Sequence, residues 1–163
     1  MQAKQYDFNV QHEIGKKGEQ ILDRWLGTTY KITDVSHDPK YQGVGIDRIL
    51  TRPDSSVITV EYKFDLAAKR TGNLFFETVS IDCKSIPGWG WSSQADYWIF
   101  LIPDQEILII KPPSLRALIW RKYRENSEKQ IPNRGYNTLG LPIPLSEVRK
   151  IATQVQKLYL DNL

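Results

Sequence analysis

Cysteine is almost absent from this chain of 163 residues, and long apolar runs are missing. The single cysteine, Cys83, excludes a disulfide within the chain and leaves no cysteine cluster that could bind zinc. Residues 1–7 lack the apolar core of a signal peptide, and no later apolar run is long enough to cross a membrane. We therefore expect a cytoplasmic protein that does not enter a membrane.

A strong excess of charge of either sign is also missing. Lys and Arg together number 22 and Asp and Glu number 19, so the formal net charge is +3. This mildly basic balance is compatible with a nucleic-acid partner but does not identify one. The length suits a single domain over residues 1–163, and no internal repeat, linker or low-complexity tract divides the chain.

A β-hairpin is the clearest local feature of the sequence. Two apolar runs of strand length, residues 45–50 and 57–63, flank a Pro-Asp-Ser-Ser turn at residues 53–56. Asp47 lies near the start of the first run. Antiparallel pairing across the turn is therefore expected to place Asp47 opposite the end of the second strand.

The second strand carries two charges at that same end. Glu61 and Lys63 share one face because alternate strand residues point the same way, while Tyr62 points to the other face. Two close carboxylates repel each other, so a bare Asp47–Glu61 pair is expected to bind a divalent ion or to raise a carboxylate pKa. Carboxylate oxygens together with the backbone carbonyl of Tyr62 would form a hard oxygen site suited to Mg²⁺.

A lysine beside such a metal can orient a bound water and help to deprotonate it, or stabilise charge that develops on a phosphate. The predicted chemistry is therefore phosphodiester hydrolysis. The alternative is an exposed cross-strand salt bridge between Glu61 and a basic neighbour, which would contribute little to stability.

The sequence resembles the PD-(D/E)xK nuclease superfamily at these residues: Asp47 is followed, after 13 intervening residues, by Glu61-x-Lys63. The proline that names the motif is replaced by Ile46. The resemblance implies an α/β fold with a restriction-endonuclease-like core, in which helices flank a mixed central β-sheet. It also implies that Asp47 and Glu61 bind Mg²⁺, which Mn²⁺ can replace, and that Lys63 is the catalytic lysine.

Two further stretches resemble nucleases of this type. Residues 71–73, Thr-Gly-Asn, are followed by Glu77, and a Gly/Trp/Ser-rich stretch precedes Ala-Asp-Tyr-Trp at residues 95–98. The first helix of the family often supplies a glutamate to the metal site. The matching residue is Glu19, at the edge of the apolar face of a helix predicted over residues 10–26. An ion pair between Glu19 and Lys16 on the helix surface is the equal alternative.

Several side chains are predicted to contact the substrate. A polar loop at residues 36–43 leads into Asp47, a basic turn follows the hairpin, and a Gly/Trp loop spans residues 86–94. The Trp rings either stack on unpaired bases or fold back as a lid on the core. Polar residues of these segments also have the plainer interpretation of solvated turns and cross-strand pairs. The candidate substrate-binding residues are Lys40, Tyr41, Gln42, Lys69, Arg70, Asn73, Glu77, Trp89 and Trp91.

The remaining elements follow from apolar spacing and turn signals. Strands are predicted over residues 30–35 and 74–81, the latter as part of the same sheet, and a second hairpin over residues 97–102 and 107–110. A helix with a basic face is predicted over residues 114–124, an irregular loop over 125–144, and a closing helix over 146–160. The closing helix should pack on the sheet or on a second copy of the chain.

The sequence predicts a metal-dependent endodeoxyribonuclease, one that cuts junctions or branched DNA being one form, while RNA remains an open substrate. Junction cutting requires two active sites and hence a homodimer. One alternative is a non-catalytic nucleic-acid-binding module that retains the nuclease fold, and another is a structural or interaction subunit.

Overall fold

The computed structural model describes residues 8–123 and 128–158. The chain forms a mixed α/β structure, in which short helices alternate with strands of two separate sheets. The helices are α1 (Phe8–Leu26), α2 (Pro39–Gln42), α3 (Leu66–Thr71), α4 (Trp89–Ser92), α5 (Pro112–Tyr123) and α6 (Leu145–Ile151). The strands are β1 (Lys31–Asp34), β2 (Arg48–Thr51), β3 (Val57–Phe64), β4 (Asn73–Ile81), β5 (Ile86–Pro87), β6 (Tyr97–Ile102), β7 (Glu106–Ile110), β8 (Lys129–Pro132), β9 (Asn137–Pro144) and β10 (Gln154–Lys157).

The larger sheet has six strands in the order β1-β2-β3-β6-β7-β10. Only β3 and β6 run parallel, and their neighbours are antiparallel, so the sheet is mixed as expected. The predicted hairpins of β2 with β3 and of β6 with β7 are confirmed. The residues of β3 that follow Val60 still pair with β6 on one side, although their pairing with β2 on the other side has ended.

Strand β6 explains why the interior divides into two apolar clusters. Its residues are apolar without interruption because both faces are buried. Trp98, Phe100 and Ile102 join the cluster that faces the second sheet, α5 and α6, while Ile99 and Leu101 join the cluster beneath α1. Helix α1 contributes Leu22 and Leu26 to the latter cluster. Its bounds, Phe8–Leu26, are close to the predicted 10–26.

The second sheet contains β5, β4, β9 and β8 in that order, all antiparallel. The prediction that residues 74–81 join the hairpin's sheet is therefore wrong. The predicted loop over residues 125–144 is also wrong where it is described, because 137–144 form β9 and pair with β4. Gly140, Pro142 and Pro144 hid this strand from sequence reasoning, although Leu141 and Ile143 are buried in the core. Residues 125–127 lie outside the described residues.

The predicted closing helix ends early. Helix α6 stops at Ile151, and the chain then pairs with β7 as strand β10. The fully buried Glu106 of β7 holds this arrangement, since its carboxylate accepts hydrogen bonds from Arg149 Nε (3.0 Å) and Lys157 Nζ (2.9 Å). Burial alone would raise the pKa of Glu106, but the hydrogen bonds from these two cations outweigh it and lower the pKa to about 2. The predicted end at residue 160 lies outside the described residues.

Helix α5 begins at Pro112, before the expected Ser114, because proline suits the first turn of a helix. Its predicted end at residue 124 lies outside the described residues. Two segments predicted as loops contain helical turns, α2 within residues 36–43 and α4 within residues 86–94. Within the described ranges, no helix is both long and apolar enough to span a membrane.

Candidate active site

The hairpin brings Asp47 beside the part of β3 that lies beyond the end of β2. Ladder pairing ends with Arg48 opposite Val60, and the Asp47 N–H still donates to the Val60 carbonyl at 2.9 Å. Asp47 Oδ2 then accepts a hydrogen bond from the backbone N–H of Tyr62 at 2.7 Å. The side chain of Asp47 thus continues the ladder, and its predicted position opposite the end of the second strand is confirmed.

Glu61 and Lys63 lie on the opposite face of β3 from Tyr62, as alternation predicts. Tyr62 packs into the cluster beneath α1, whereas Lys63 Nζ forms an ion pair with Glu61 Oε1. Glu61 is only 5% exposed, and its other oxygen, Oε2, is buried without a hydrogen-bond partner among the described residues. A buried carboxylate oxygen left unpaired is costly, so this atom is a natural ligand position for a cation.

Gly45 maintains the space beside that oxygen. Its φ of +65° is in the left-handed region, and a Cβ at this position would lie 3.0 Å from Glu61 Oε2 and 3.2 Å from Ser93 Cβ. Ser93 Oγ donates to the Gly45 carbonyl at 3.2 Å and accepts from Trp98 Nε1 at 2.9 Å. A side chain at position 45 would therefore crowd both the carboxylate and the loop that supports it.

Two carboxyl groups near Lys63, those of Asp47 and Glu77, have a raised pKa. Burial raises the pKa of Asp47, and the charges of Glu61 and Glu19 add to this effect, against the Tyr62 N–H and Lys63. Burial likewise raises the pKa of Glu77, whose Oε1 accepts from the Trp89 N–H at 3.3 Å. The raised pKa of Asp47 agrees with the expectation for a bare site, although burial and not the charge of Glu61 is its largest cause.

The donor atoms at the hairpin end fit Mg²⁺. The N–H and C=O of one strand residue point to the same edge, so the Tyr62 carbonyl faces the edge where its N–H meets Asp47. The carboxylate of Asp47, the free oxygen of Glu61 and this carbonyl are all hard oxygen donors of the kind that Mg²⁺ prefers. Over residues 8–123 and 128–158, no three acidic, imidazole or thiol groups form a metal cluster.

Glu19 lies beside this site, but its carboxylate is committed elsewhere. Glu19 and Lys63 both line a cavity of about 140 Å³ between α1 and β3. Glu19 Oε2 accepts from Arg48 Nη2 at 2.7 Å, so its ion pair is with Arg48 and not with Lys16. Its negative charge still raises the pKa of Asp47. That Glu19 extends the metal site stays a prediction.

Arg48 binds three carboxylates at once. The guanidinium is held at Asp23 (3.0 Å), Asp34 (2.8 Å) and Glu19, and Nη1 also donates to the Asp47 carbonyl at 3.0 Å. Arg48 is only 2% exposed and stacks over the Tyr62 ring, 5.2 Å from its centroid. Arg48 thereby ties α1 and β1 to the backbone of the candidate metal ligand.

The predicted substrate contacts lie in different parts of the structure. In α2, Lys40 and Gln42 are exposed, and Tyr41 packs against the core just ahead of Gly45. Around α3, Lys69 pairs with Asp104 at 3.0 Å in the turn of the second hairpin, away from Lys63. Of the remaining five, the structure brings three to the cleft that Lys63 also lines. Lining the same cleft as Lys63 are Arg70, Glu77 and Trp89, while Asn73 lies on the β4 face that Glu77 shares.

The two tryptophans have different settings. Trp89 packs against Trp98 and Phe100, whose ring centroids lie 5.1 and 5.7 Å from that of Trp89. Lys63 Nζ lies 4.9 Å from the centroid of the Trp89 ring. Trp89 therefore contacts both the core and Lys63, which is closer to the predicted lid on the core than to a ring that stacks on unpaired bases. Trp91 packs edge-on to Phe76 and is 39% exposed.

Sequence reasoning missed the inward role of Arg116, which it assigned to a basic helix surface. Arg116 Nε donates to the Gly90 carbonyl at 2.8 Å and Nη2 to the Ser93 carbonyl at 2.6 Å. Burial lowers the pKa of Arg116, and the negative charge of Glu61 opposes that change. Arg116 therefore fixes the loop behind Glu61, and no local signal in the sequence distinguishes it from its exposed neighbours on α5.

Comparisons with known proteins found no matching family model, curated protein or solved structure.

Proposed function

We propose that this protein is a Mg²⁺-dependent nuclease that hydrolyses DNA phosphodiester bonds. The observation that carries the proposal is the buried, unpartnered Oε2 of Glu61, next to Asp47 and with Lys63 on the other carboxylate oxygen. Burial of a charged carboxylate costs free energy, and a divalent cation bound between Asp47 and Glu61 would offset that cost. A cross-strand salt bridge at the surface would not need this burial.

Each side chain has a distinct role in the proposed reaction. Asp47 and Glu61, with the Tyr62 carbonyl, would hold Mg²⁺, which supplies charge stabilisation at the phosphate and acidifies a bound water. Lys63 orients the attacking water and stabilises the negative charge that develops on the phosphate oxygens. Trp89 keeps the ammonium group in place through its ring face.

The fold is compatible with a restriction-endonuclease-like core, which is part of the proposal. The strands that carry the acidic pair lie in the middle of a mixed sheet, with α1 packed against one face. A homodimer that cuts junctions or branched DNA is the form of this activity that needs two such sites.

The test is cleavage of a DNA panel by wild type, Asp47→Ala and Lys63→Ala, with Mg²⁺ or EDTA. The panel contains linear duplex, single strand, flap and four-way junction, with an RNA strand as the comparison. We expect Mg²⁺-dependent cutting by wild type alone. Binding without cutting on every member would refute the nuclease and support a nucleic-acid-binding module, and the absence of binding would refute both.

A further inference from the structure

A cleft opens directly from the candidate active site toward the second sheet. Its volume is about 750 Å³, and Lys63 and Glu77 form the wall that it shares with the site. The rest of the lining is mainly apolar and aromatic. The residues that matter here are Lys63, Phe64, Arg70, Phe75, Glu77 and Ile131.

Strand alternation in β4 creates this surface. Leu74 and Phe76 are fully buried in the core, so Phe75 and Glu77 project from the opposite face, into the cleft. The tip of the Phe75 ring lies over Gly140 of β9, where a Cβ would come within 2.4 Å of Phe75 Cζ. Gly140 therefore lets the ring settle against the sheet while one side lines the cleft.

The cleft lining contains two cations, Lys63 and Arg70, and two carboxylates, Asp65 and Glu77. Arg70 is exposed, whereas the Lys63 side chain is only 24% exposed. The carboxylate of Asp65 is already used by backbone N–H groups, those of Ala68 at 2.9 Å and Phe75 at 3.4 Å. Glu77 Oε1 likewise accepts from the Trp89 N–H at 3.3 Å. The groups that can meet a phosphate are therefore the exposed Arg70 and, alongside its ion pair with Glu61, Lys63.

We propose that this cleft is a subsite for one unpaired nucleotide of the DNA strand, whose base lies against Phe75 while its phosphates meet Lys63 and Arg70. Pockets of roughly 300–1,000 Å³ enclose ligands of about the size of a nucleotide, and a base-paired duplex is much larger. Aromatic walls beside a basic groove are the usual means of binding single strands. The inference rests on the proposed nuclease function and narrows its substrate to DNA with an unpaired nucleotide next to the scissile phosphate.

Substrate choice follows from the cost of exposing a base. A nucleotide within a duplex must be unpaired and unstacked before it can enter the cleft, which costs a few kcal/mol, whereas an unpaired nucleotide enters without that cost. We expect wild type to bind and cut a duplex with one unpaired thymidine at least about tenfold better than the fully paired duplex.

The experiment compares three DNAs: the duplex with the unpaired thymidine, the same duplex with an abasic residue there, and the paired duplex. Binding is measured with Ca²⁺ in place of Mg²⁺, and cleavage with Mg²⁺. Phe75→Leu keeps an apolar side chain but removes the ring face, so it should weaken thymidine-substrate binding by about 5- to 100-fold. It should leave abasic-substrate binding unchanged, and Phe75→Tyr should behave as wild type.

Trp120→Leu is the matched control, since Trp120 is an aromatic residue of α5 that is 65% exposed and lies outside the cleft lining. It should leave all three DNAs unaffected. Equal effects of Phe75→Leu on thymidine and abasic substrates, or no wild-type preference for the unpaired base, would overturn the subsite. A Phe75-dependent preference in binding without cleavage of any DNA would retain the subsite and refute the nuclease.

Discussion

Lys63→Met is expected to slow Mg²⁺-dependent DNA cleavage by about two to four orders of magnitude, the usual contribution of a positioned acid–base or electrostatic group. Methionine keeps the length and apolar character of the lysine stem against Trp89 but removes the ammonium group that pairs with Glu61. Mg²⁺ binding should persist because both carboxylates remain. Single-turnover cleavage and a parallel Mg²⁺ titration would separate the two effects.

Asp47→Asn is the companion variant. Asparagine has the same shape and its amide oxygen can still accept the Tyr62 N–H, so the hairpin end should remain folded. It loses the negative charge that would hold Mg²⁺, and both metal binding and cleavage should fall together. Cleavage at the wild-type rate by either variant would refute the assigned roles.

Arg48→Met is expected to destabilise the protein by about 2–3 kcal/mol, less than the cost of breaking a fully buried ion pair, because the three carboxylates that it would leave are 34–54% exposed. The reason is that Glu19, Asp23 and Asp34 all direct their carboxylates at this one guanidinium. Three acidic groups would then repel one another without a cation. Urea unfolding followed by tryptophan fluorescence measures the loss.

Arg121→Met is the control for this variant, because Arg121 is an exposed residue of α5. Its loss should change the free energy of unfolding by less than about 0.5 kcal/mol. Equal stabilities of Arg48→Met and Arg121→Met would show that the cluster is solvated and contributes little.

The acidic pair and the lysine could be placed from sequence because they depend on local order. A turn at residues 53–56 and the two-residue period of strands fix Asp47, Glu61 and Lys63 relative to one another. The burial of Glu61 could not be foreseen, because it depends on Gly45 and Ser93, which a distant loop brings together.

The ion-pair partner of Glu19 could not be predicted from the sequence either. Its choice between the metal site, Lys16 and Arg48 depends on how α1 packs across β2. The cleft depends on the second sheet, and β9 was hidden because Gly140 and Pro142 resemble loop residues. In that strand the glycine accommodates the Phe75 ring, so a residue that weakens the local strand signal supports a tertiary contact.

The most direct test of the account is a calorimetric Mg²⁺ titration of wild type and Glu61→Gln at neutral pH, repeated at lower pH. We predict saturable binding by wild type that weakens as pH falls, because protons compete for carboxyls such as that of Asp47, whose pKa burial raises. Glu61→Gln should lose this binding, since the charge on the unpartnered oxygen is gone. No binding by wild type, or equal binding by Glu61→Gln, would contradict the assignment of this carboxylate as a metal ligand.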